Sequence, residues 1–165
     1  MRNLANEIAL LLFTAVSLVT AQKNFAAEIF PSTFHIVKVD GLDLFYREAG
    51  NPARPTIVLL HGFPSSSHMY RNLIPKLATK YHVIAPDFPG FGFTEQPTQA
   101  DFGYTFEHLA AVTDDLLNVL NLEHYTIYVQ DYGSPIGFRL FVKHPEKISA
   151  IITQNGNAYE PKFRS

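Results

Sequence analysis

An aspartate stands at the turn of a predicted strand–turn–helix unit in the last third of the sequence. Residues 125–129, Tyr-Thr-Ile-Tyr-Val, are aromatic or β-branched, as in a buried strand. From Ile136 the apolar residues follow helical spacing until Pro145. Residues 130–134 leave room only for a sharp turn, with Asp131 at its apex facing the N-terminal amides of the helix. This is the geometry of a nucleophile elbow, which is described for serine in a G-x-S-x-G frame.

A second motif directly follows another predicted strand and contains backbone groups that suit an oxyanion hole. It reads His61-Gly62-Phe63-Pro64. A backbone N–H in such a loop forms one half of an oxyanion hole, and the amide after the nucleophile forms the other half. We therefore assign the two donors to the backbone N–H groups of Phe63 and Tyr132.

A third motif, Asp87-Phe88-Pro89-Gly90-Phe91-Gly92-Phe93, also forms a loop at the end of a predicted strand. We interpret Asp87, Gly90 and Gly92 as its structural residues, as we do Gly133 in the elbow. Each motif alone is weak evidence of a functional site. An HG pair or a PG turn occurs by chance, and a single aspartate in a turn usually forms an Asx-turn. Their order and spacing favour one shared site, since all three loops follow strands at the same edge of a predicted sheet.

Composition excludes several classes of site. The chain has 165 residues, 47% hydrophobic and 17% charged, which is typical of one globular domain. A net charge of −2 without a Lys/Arg cluster argues against a nucleic-acid partner. The absence of cysteine excludes disulfides, thiolate catalysis and cysteine-bound zinc. No H-x-x-x-H pattern occurs, so we expect neither a metal nor a cofactor.

The first 21 residues are predicted to be a signal peptide. Arg2 supplies a positive charge, the apolar run Ile8–Val19 follows, and Val19-Thr20-Ala21 offers small residues for cleavage. The run is shorter than the roughly 20 apolar residues that span a bilayer. The protein would then be exported, periplasmic or secreted, with no other membrane contact. The alternative is an N-terminal helix packed on the domain of a cytoplasmic protein.

The remaining chain divides into a connector, residues 22–33, and a domain, residues 34–165, in which strand and helix patterns alternate. Strands are predicted at residues 34–39, 42–47, 56–60, 82–85, 125–129 and 148–153. Helices are predicted at residues 69–81, 106–122 and after the elbow. This alternation predicts an α/β fold, with a mostly parallel sheet and helices on both faces.

The motifs HGFP, DFPGFG and VQDYGSPIG, in this order on this strand pattern, resemble the α/β-hydrolase fold. More narrowly, they resemble its aspartate-nucleophile branch, the epoxide hydrolases and haloalkane dehalogenases. The resemblance implies that Asp131 attacks an electrophilic sp³ carbon of a small-molecule substrate and forms an alkyl-enzyme ester. Water activated by a histidine, itself backed by an acid, then hydrolyses the ester. The oxyanion donors are those assigned above.

The choice between epoxide hydrolases and haloalkane dehalogenases depends on the residues around the elbow. Haloalkane dehalogenases typically place a tryptophan directly after the nucleophile, whereas this sequence has Tyr132 there and no tryptophan. The two residues before Asp131, Val129 and Gln130, resemble those of haloalkane dehalogenases more than those of epoxide hydrolases. We favour an enzyme similar to the epoxide hydrolases, with a haloalkane dehalogenase as the second possibility.

No histidine in the sequence occupies the position from which this family takes its catalytic base. His61 is predicted to brace its loop, and the histidines at 68, 82, 108, 124 and 144 to be surface or capping residues. Family members take the base from a loop after the last strand. We therefore expect a truncated core, without the C-terminal strands and cap, that turns over little or not at all. A non-catalytic binding module and a degraded gene product also fit the missing base, and the sequence predicts no oligomeric state.

Overall fold

A computed structural model describes residues 30–157 of the chain. The predicted signal peptide, residues 1–21, and most of the predicted connector, residues 22–33, lie outside this range. None of the helices between residues 30 and 157 is both long enough and apolar enough to cross a membrane.

Six strands form one mixed sheet in the described part of the chain. The strands are β1 (Thr33–Val39), β2 (Leu42–Ala49), β3 (Thr56–Leu60), β4 (His82–Pro86), β5 (Tyr125–Gln130) and β6 (Ile148–Gln154). Their spatial order is β1-β2-β4-β3-β5-β6. The hairpin β1–β2 and the pair β2–β4 are antiparallel, whereas β4, β3, β5 and β6 run parallel. The predicted α/β class and the mostly parallel sheet are confirmed.

Helical segments cover both faces of this sheet. They are a 3-10 helix (Ser67–Tyr70), α1 (Ile74–Leu77), α2 (Phe106–Val119) and α3 (Gly133–Lys143). Alternate residues of the central strands point to opposite faces, which gives two hydrophobic cores. The larger core joins α2 and α3 to residues such as Val58, Ile84 and Ile127. The smaller core joins the 3-10 helix and α1 to Ile57, Leu59 and Val83.

The prediction of one continuous helix over residues 69–81 was wrong. The structure has two short segments there, the 3-10 helix and α1, separated by a turn. Pro75 explains the break, because proline has no N–H to donate to the preceding turn and its ring clashes with the carbonyl four residues before it. Pro75 is therefore accommodated in the first turn of α1, where that N–H is not needed.

Helix α2 ends three residues earlier than the apolar pattern predicts. Asn121 adopts φ +55° and its N–H donates to the Asn118 carbonyl, while Leu122 N–H donates to the Leu117 carbonyl. These two bonds are those of a Schellman motif, which satisfies the last helical carbonyls and stops the helix. Leu120 and Leu122 still pack against the larger core, so their apolar character reflects burial outside the helix.

The packing of β5 gives a testable prediction about stability. Ile127 is fully buried between the sheet and its helices, so Ile127→Ala should lower the free energy of unfolding by about 2–5 kcal/mol. Val142 on α3 is 79% exposed, and Val142→Ala should change it by less than about 0.5 kcal/mol. Urea denaturation of both variants measures the difference. Equal losses would contradict the described core.

Candidate functional site

Asp131 lies at the apex of the predicted strand–turn–helix unit. Strand β5 ends at Gln130 and α3 begins at Gly133. Asp131 itself adopts φ +49°, in the left-handed region that residues other than glycine rarely occupy. Its carbonyl accepts a hydrogen bond from Ser134 N–H at 2.9 Å, which closes the turn. The conformation turns the chain sharply and leaves the carboxylate half-buried between the loops.

The backbone of the HGFP loop binds this carboxylate directly. Phe63 N–H donates to Asp131 Oδ1 at 2.8 Å. The contact follows from the sheet, since β3 and β5 are parallel neighbours with Leu60 opposite Val129, and the loops after both strands begin side by side. The structure thus brings Phe63 and Asp131 together, and it places Tyr132 next to them as the N-cap residue of α3.

Two glycines allow these backbones to approach so closely. A Cβ at Gly62 would lie 2.0 Å from Gln130 Oε1 and 2.7 Å from Asp131 Cβ. A Cβ at Gly133 would lie 2.2 Å from the Leu60 carbonyl oxygen. These separations are shorter than real Cβ contacts, so any larger residue would move the loop or the start of α3.

His61 is fully buried beneath the loop, and both of its ring nitrogens have partners. Nδ1 lies 3.0 Å from the Gly62 carbonyl, and Nε2 accepts from Phe88 N–H at 3.1 Å. This arrangement requires the neutral tautomer that carries its proton on Nδ1. Burial lowers the pKa of His61, against smaller opposing effects of the Gly62 carbonyl and the Asp87 charge. These contacts are those of a histidine that holds its loop in place.

Asp87 holds the third loop in place through its carboxylate. It is 1% exposed, and it accepts hydrogen bonds from Ser67 N–H at Oδ1 and from Phe93 N–H at Oδ2. Gly92 lies so close that a Cβ there would be 1.9 Å from Asp87 Oδ2. Gly90 turns the chain at φ +84°. These contacts hold the loop after β4 against the segment that begins at Ser67.

The rings of Phe63 and Phe106 contact the ring of Tyr132, the residue after Asp131. The Tyr132 ring lies 5.2 Å from the ring of Phe63 and 5.0 Å, edge-on, from that of Phe106. The guanidinium of Arg139 lies over the Phe106 ring, 5.9 Å from its centre. Sequence analysis missed Phe106 and Arg139, because Phe106 begins a separate helix and no local pattern links it to the elbow.

One histidine predicted at the surface is buried instead. His82 is 6% exposed in β4, and its Nε2 lies 2.7 Å from Glu48 Oε1 on the neighbouring strand. Its Nδ1 lies 3.1 Å from Thr56 Oγ1. The surface prediction was wrong because these two partners, which come from other strands, satisfy both nitrogens inside the sheet.

Among residues 30–157, no three histidine or acidic side chains are grouped closely enough to hold a metal ion. The described arrangement places a half-buried carboxylate beside a backbone donor, with aromatic rings next to the turn.

A comparison with protein-family models matches residues 55–164 to the alpha/beta hydrolase fold. Among curated relatives, an uncharacterized hydrolase, YNR064C, of Saccharomyces cerevisiae is 55% identical over 128 residues, or 77% of this chain and 43% of its own. A haloalkane dehalogenase of Mycobacterium marinum is 39% identical, over 77% of this chain and 44% of its own. The chain thus spans less than half the length of these relatives.

Two solved structures of similar proteins also match this chain over less than half of their own length. An epoxide hydrolase of Vigna radiata matches with a TM-score of 0.73 and 30% identity, over 81% of this chain and 44% of its own. A haloalkane dehalogenase of Bradyrhizobium elkanii, a loop variant, matches with a TM-score of 0.71 and 31% identity, over 75% of this chain and 40% of its own.

The close approach of the HGFP loop to the elbow can be tested by adding one methyl group. Gly62→Ala should displace the loop from Asp131 and lower the free energy of unfolding by about 1–3 kcal/mol, as overpacking does. Gly103 has nothing within 4 Å of its Cβ position, so Gly103→Ala is the matched control and should be nearly neutral. Thermal or urea denaturation of both variants measures the effect. Equal stability of the two would contradict the described contact.

The burial of His61 predicts a dependence of stability on pH. Because the pKa of His61 is lower in the folded protein than its ordinary value of 6.5, the unfolded chain binds the proton better. Stability contributed by neutral His61 is therefore present above about pH 6.5 and is lost as the pH falls below it. The free energy of unfolding, measured in urea at pH 8 and pH 5, should fall more in the unmodified chain than in His61→Gln. Equal losses would show that His61 does not titrate as described.

Proposed function

Because this chain belongs to the α/β-hydrolase fold family, we propose that it carries the nucleophile of a hydrolase acting on an electrophilic sp³ carbon, with Asp131 in that role. The observation that supports this most is the 2.8 Å hydrogen bond from Phe63 N–H to Asp131 Oδ1 at a left-handed strand–helix turn. A left-handed residue at a strand–helix turn, with a backbone donor aimed at its carboxylate, favours a functional role for that carboxylate.

The first chemical step is an attack by the Asp131 carboxylate. With an epoxide, one carboxylate oxygen forms a C–O bond to a ring carbon while the ring C–O bond breaks. The oxygen that leaves remains on the substrate and takes a proton from a hydroxyl donor or from water. The product is an ester of Asp131, and no redox partner or metal is needed.

The second step is hydrolysis of this ester. Water adds to the carbonyl carbon of the ester, and the oxyanion that develops on the carbonyl oxygen accepts hydrogen bonds from the amides of Phe63 and Tyr132. The acyl C–O bond to the substrate then breaks. The alcohol oxygen leaves with one proton of the water, the other proton passes to solvent, and the carboxylate of Asp131 is restored. His61 is not the base for this step in our proposal, since Nε2 accepts from Phe88 N–H and Nδ1 faces the Gly62 carbonyl. With His61 engaged in this way, we expect this chain to accumulate the ester and to turn over little.

We favour an epoxide as the electrophile. Tyr132 follows Asp131, and the sequence contains no tryptophan to hold a leaving halide. A haloalkane is the second candidate, because the Mycobacterium marinum relative at 39% identity is named a haloalkane dehalogenase. In both cases the substrate is a small molecule, and the apolar rings of Phe63, Tyr132 and Phe106 suit a hydrophobic substituent.

Intact-mass spectrometry after incubation with styrene oxide, and separately with 1-bromobutane, tests the proposal. One equivalent of epoxide should add to the chain, peptide mapping should place it on Asp131, and Asp131→Asn should abolish it. Asp40 is an exposed aspartate with φ +50° in the β1–β2 turn. Asp40→Asn is therefore the matched control and should label normally.

Each outcome of this experiment is informative. Labelling that persists in Asp131→Asn, or that is spread over surface carboxylates, would show that Asp131 is not the nucleophile. An adduct with the bromoalkane and none with the epoxide would favour the dehalogenase. Sustained release of diol that disappears in Asp131→Asn would support the nucleophile and contradict the expected accumulation of ester.

A further inference from the structure

Arg139 on α3 makes three contacts that join the beginning of α3 to the beginning of α2. Its Nε donates to Glu107 Oε2 at 3.0 Å, and its Nη1 donates to the Pro135 carbonyl at 2.9 Å. Its guanidinium lies over the ring of Phe106, 5.9 Å from the ring centre. Phe106 and Glu107 are the first two residues of α2, and Pro135 lies in the first turn of α3. One side chain therefore links the two helix N-termini next to the elbow.

The geometry of these contacts suits a positioning role better than a stabilising one. The side chains of Glu107 and Arg139 are 84% and 36% exposed, and ion pairs as exposed as this one contribute little to stability. The planar guanidinium is instead held at two of its edges, by Glu107 and by the Pro135 carbonyl. These two bonds fix its plane and leave a face for the ring of Phe106.

Phe106 connects Arg139 to the residue that follows Asp131. Phe106 packs against the larger core, and its ring meets the Tyr132 ring edge-on, with the two ring centres 5.0 Å apart. The Tyr132 ring in turn lies 5.2 Å from the ring of Phe63, whose backbone N–H donates to Asp131. The contacts therefore run without a gap from Arg139 to the aromatic rings beside Asp131.

We propose that Arg139 is a positioning residue of the candidate site, which holds Phe106 against Tyr132 and so fixes the orientation of the Tyr132 ring beside Asp131. The rings of Phe63 and Tyr132, which are 58% and 37% exposed, then present a fixed aromatic surface to the substituent of the electrophile. Because aromatic rings pack on one another in preferred offset and edge-on geometries, this surface favours an aryl substituent over a small alkyl group. The inference rests on the proposed function of Asp131.

Fluorine NMR of the chain labelled with 3-fluorotyrosine tests the positioning step without any substrate. Tyr132→Phe identifies the Tyr132 signal among the eight tyrosines. Phe106→Leu and Arg139→Met should both shift this signal, because each removes a contact that holds the ring. Arg139→Lys should shift it less, because lysine keeps a positive charge near the Phe106 ring. Arg71→Met, at an exposed arginine that donates to the His68 carbonyl, is the matched control and should leave the signal unchanged.

Two results of this measurement would overturn the inference. An unchanged Tyr132 signal in Arg139→Met would show that the ring is held without the arginine. An equal shift in Arg71→Met would show that the signal does not report on the contacts of Arg139. If Arg139→Met does not fold, Arg139→Lys decides the question, and the absence of any shift in that variant counts against the proposal.

The rate at which epoxides label Asp131, measured against epoxide concentration, tests the consequence for substrates. In Arg139→Met, the styrene oxide concentration that gives half the maximal rate should rise about 2- to 10-fold, while the maximal rate changes little. The corresponding concentration of propylene oxide, which carries only a methyl group, should not change. An equal rise for both epoxides, or a fall in the maximal rate alone, would contradict selection by the ring surface. If neither epoxide labels Asp131, the proposed function fails, and the fluorine signal alone decides the positioning role of Arg139.

Discussion

The candidate site depends on how closely the ends of two neighbouring parallel strands approach each other. The Phe63 amide reaches Asp131 because Gly62 and Gly133 have no side chains at the two points where these backbones meet. The left-handed conformation of Asp131 is part of the same arrangement, since the turn must fit between β5 and α3 while α3 packs against Leu60. A strained conformation of this kind persists only where the surrounding packing determines it.

Buried polar groups fix the loops around this contact, and Asp131 differs from them. Asp87 uses both carboxylate oxygens to bind backbone N–H groups, and His61 uses both ring nitrogens. These two residues are buried and committed to structure, whereas Asp131 is half-buried. Asp131 accepts a hydrogen bond from Phe63 N–H and remains partly exposed to solvent, while the surrounding loops are fixed by these other contacts.

The local pattern of the sequence was sufficient to predict most of the fold. The strand β3, the elbow and the loops after β3 and β4 were located from periodicity and turn residues, because these depend on neighbours in the chain. The burial of His82 and the contacts of Phe106 with Tyr132 and Arg139 were not, because they depend on partners from other strands or helices. The break at Pro75 shows a third case, in which a single residue overrides an apolar helical pattern.

At positions 63 and 132 the main chain and the side chain have different roles, and this affects which substitutions the site can accept. Both residues contribute to the proposed chemistry through their main chains, while Phe63 and Tyr132 are 58% and 37% exposed. A substitution at either position would change the aromatic surface beside Asp131 and leave the backbone N–H in place. The site therefore combines a backbone that tolerates almost no change with exposed side chains that can change without disturbing that backbone.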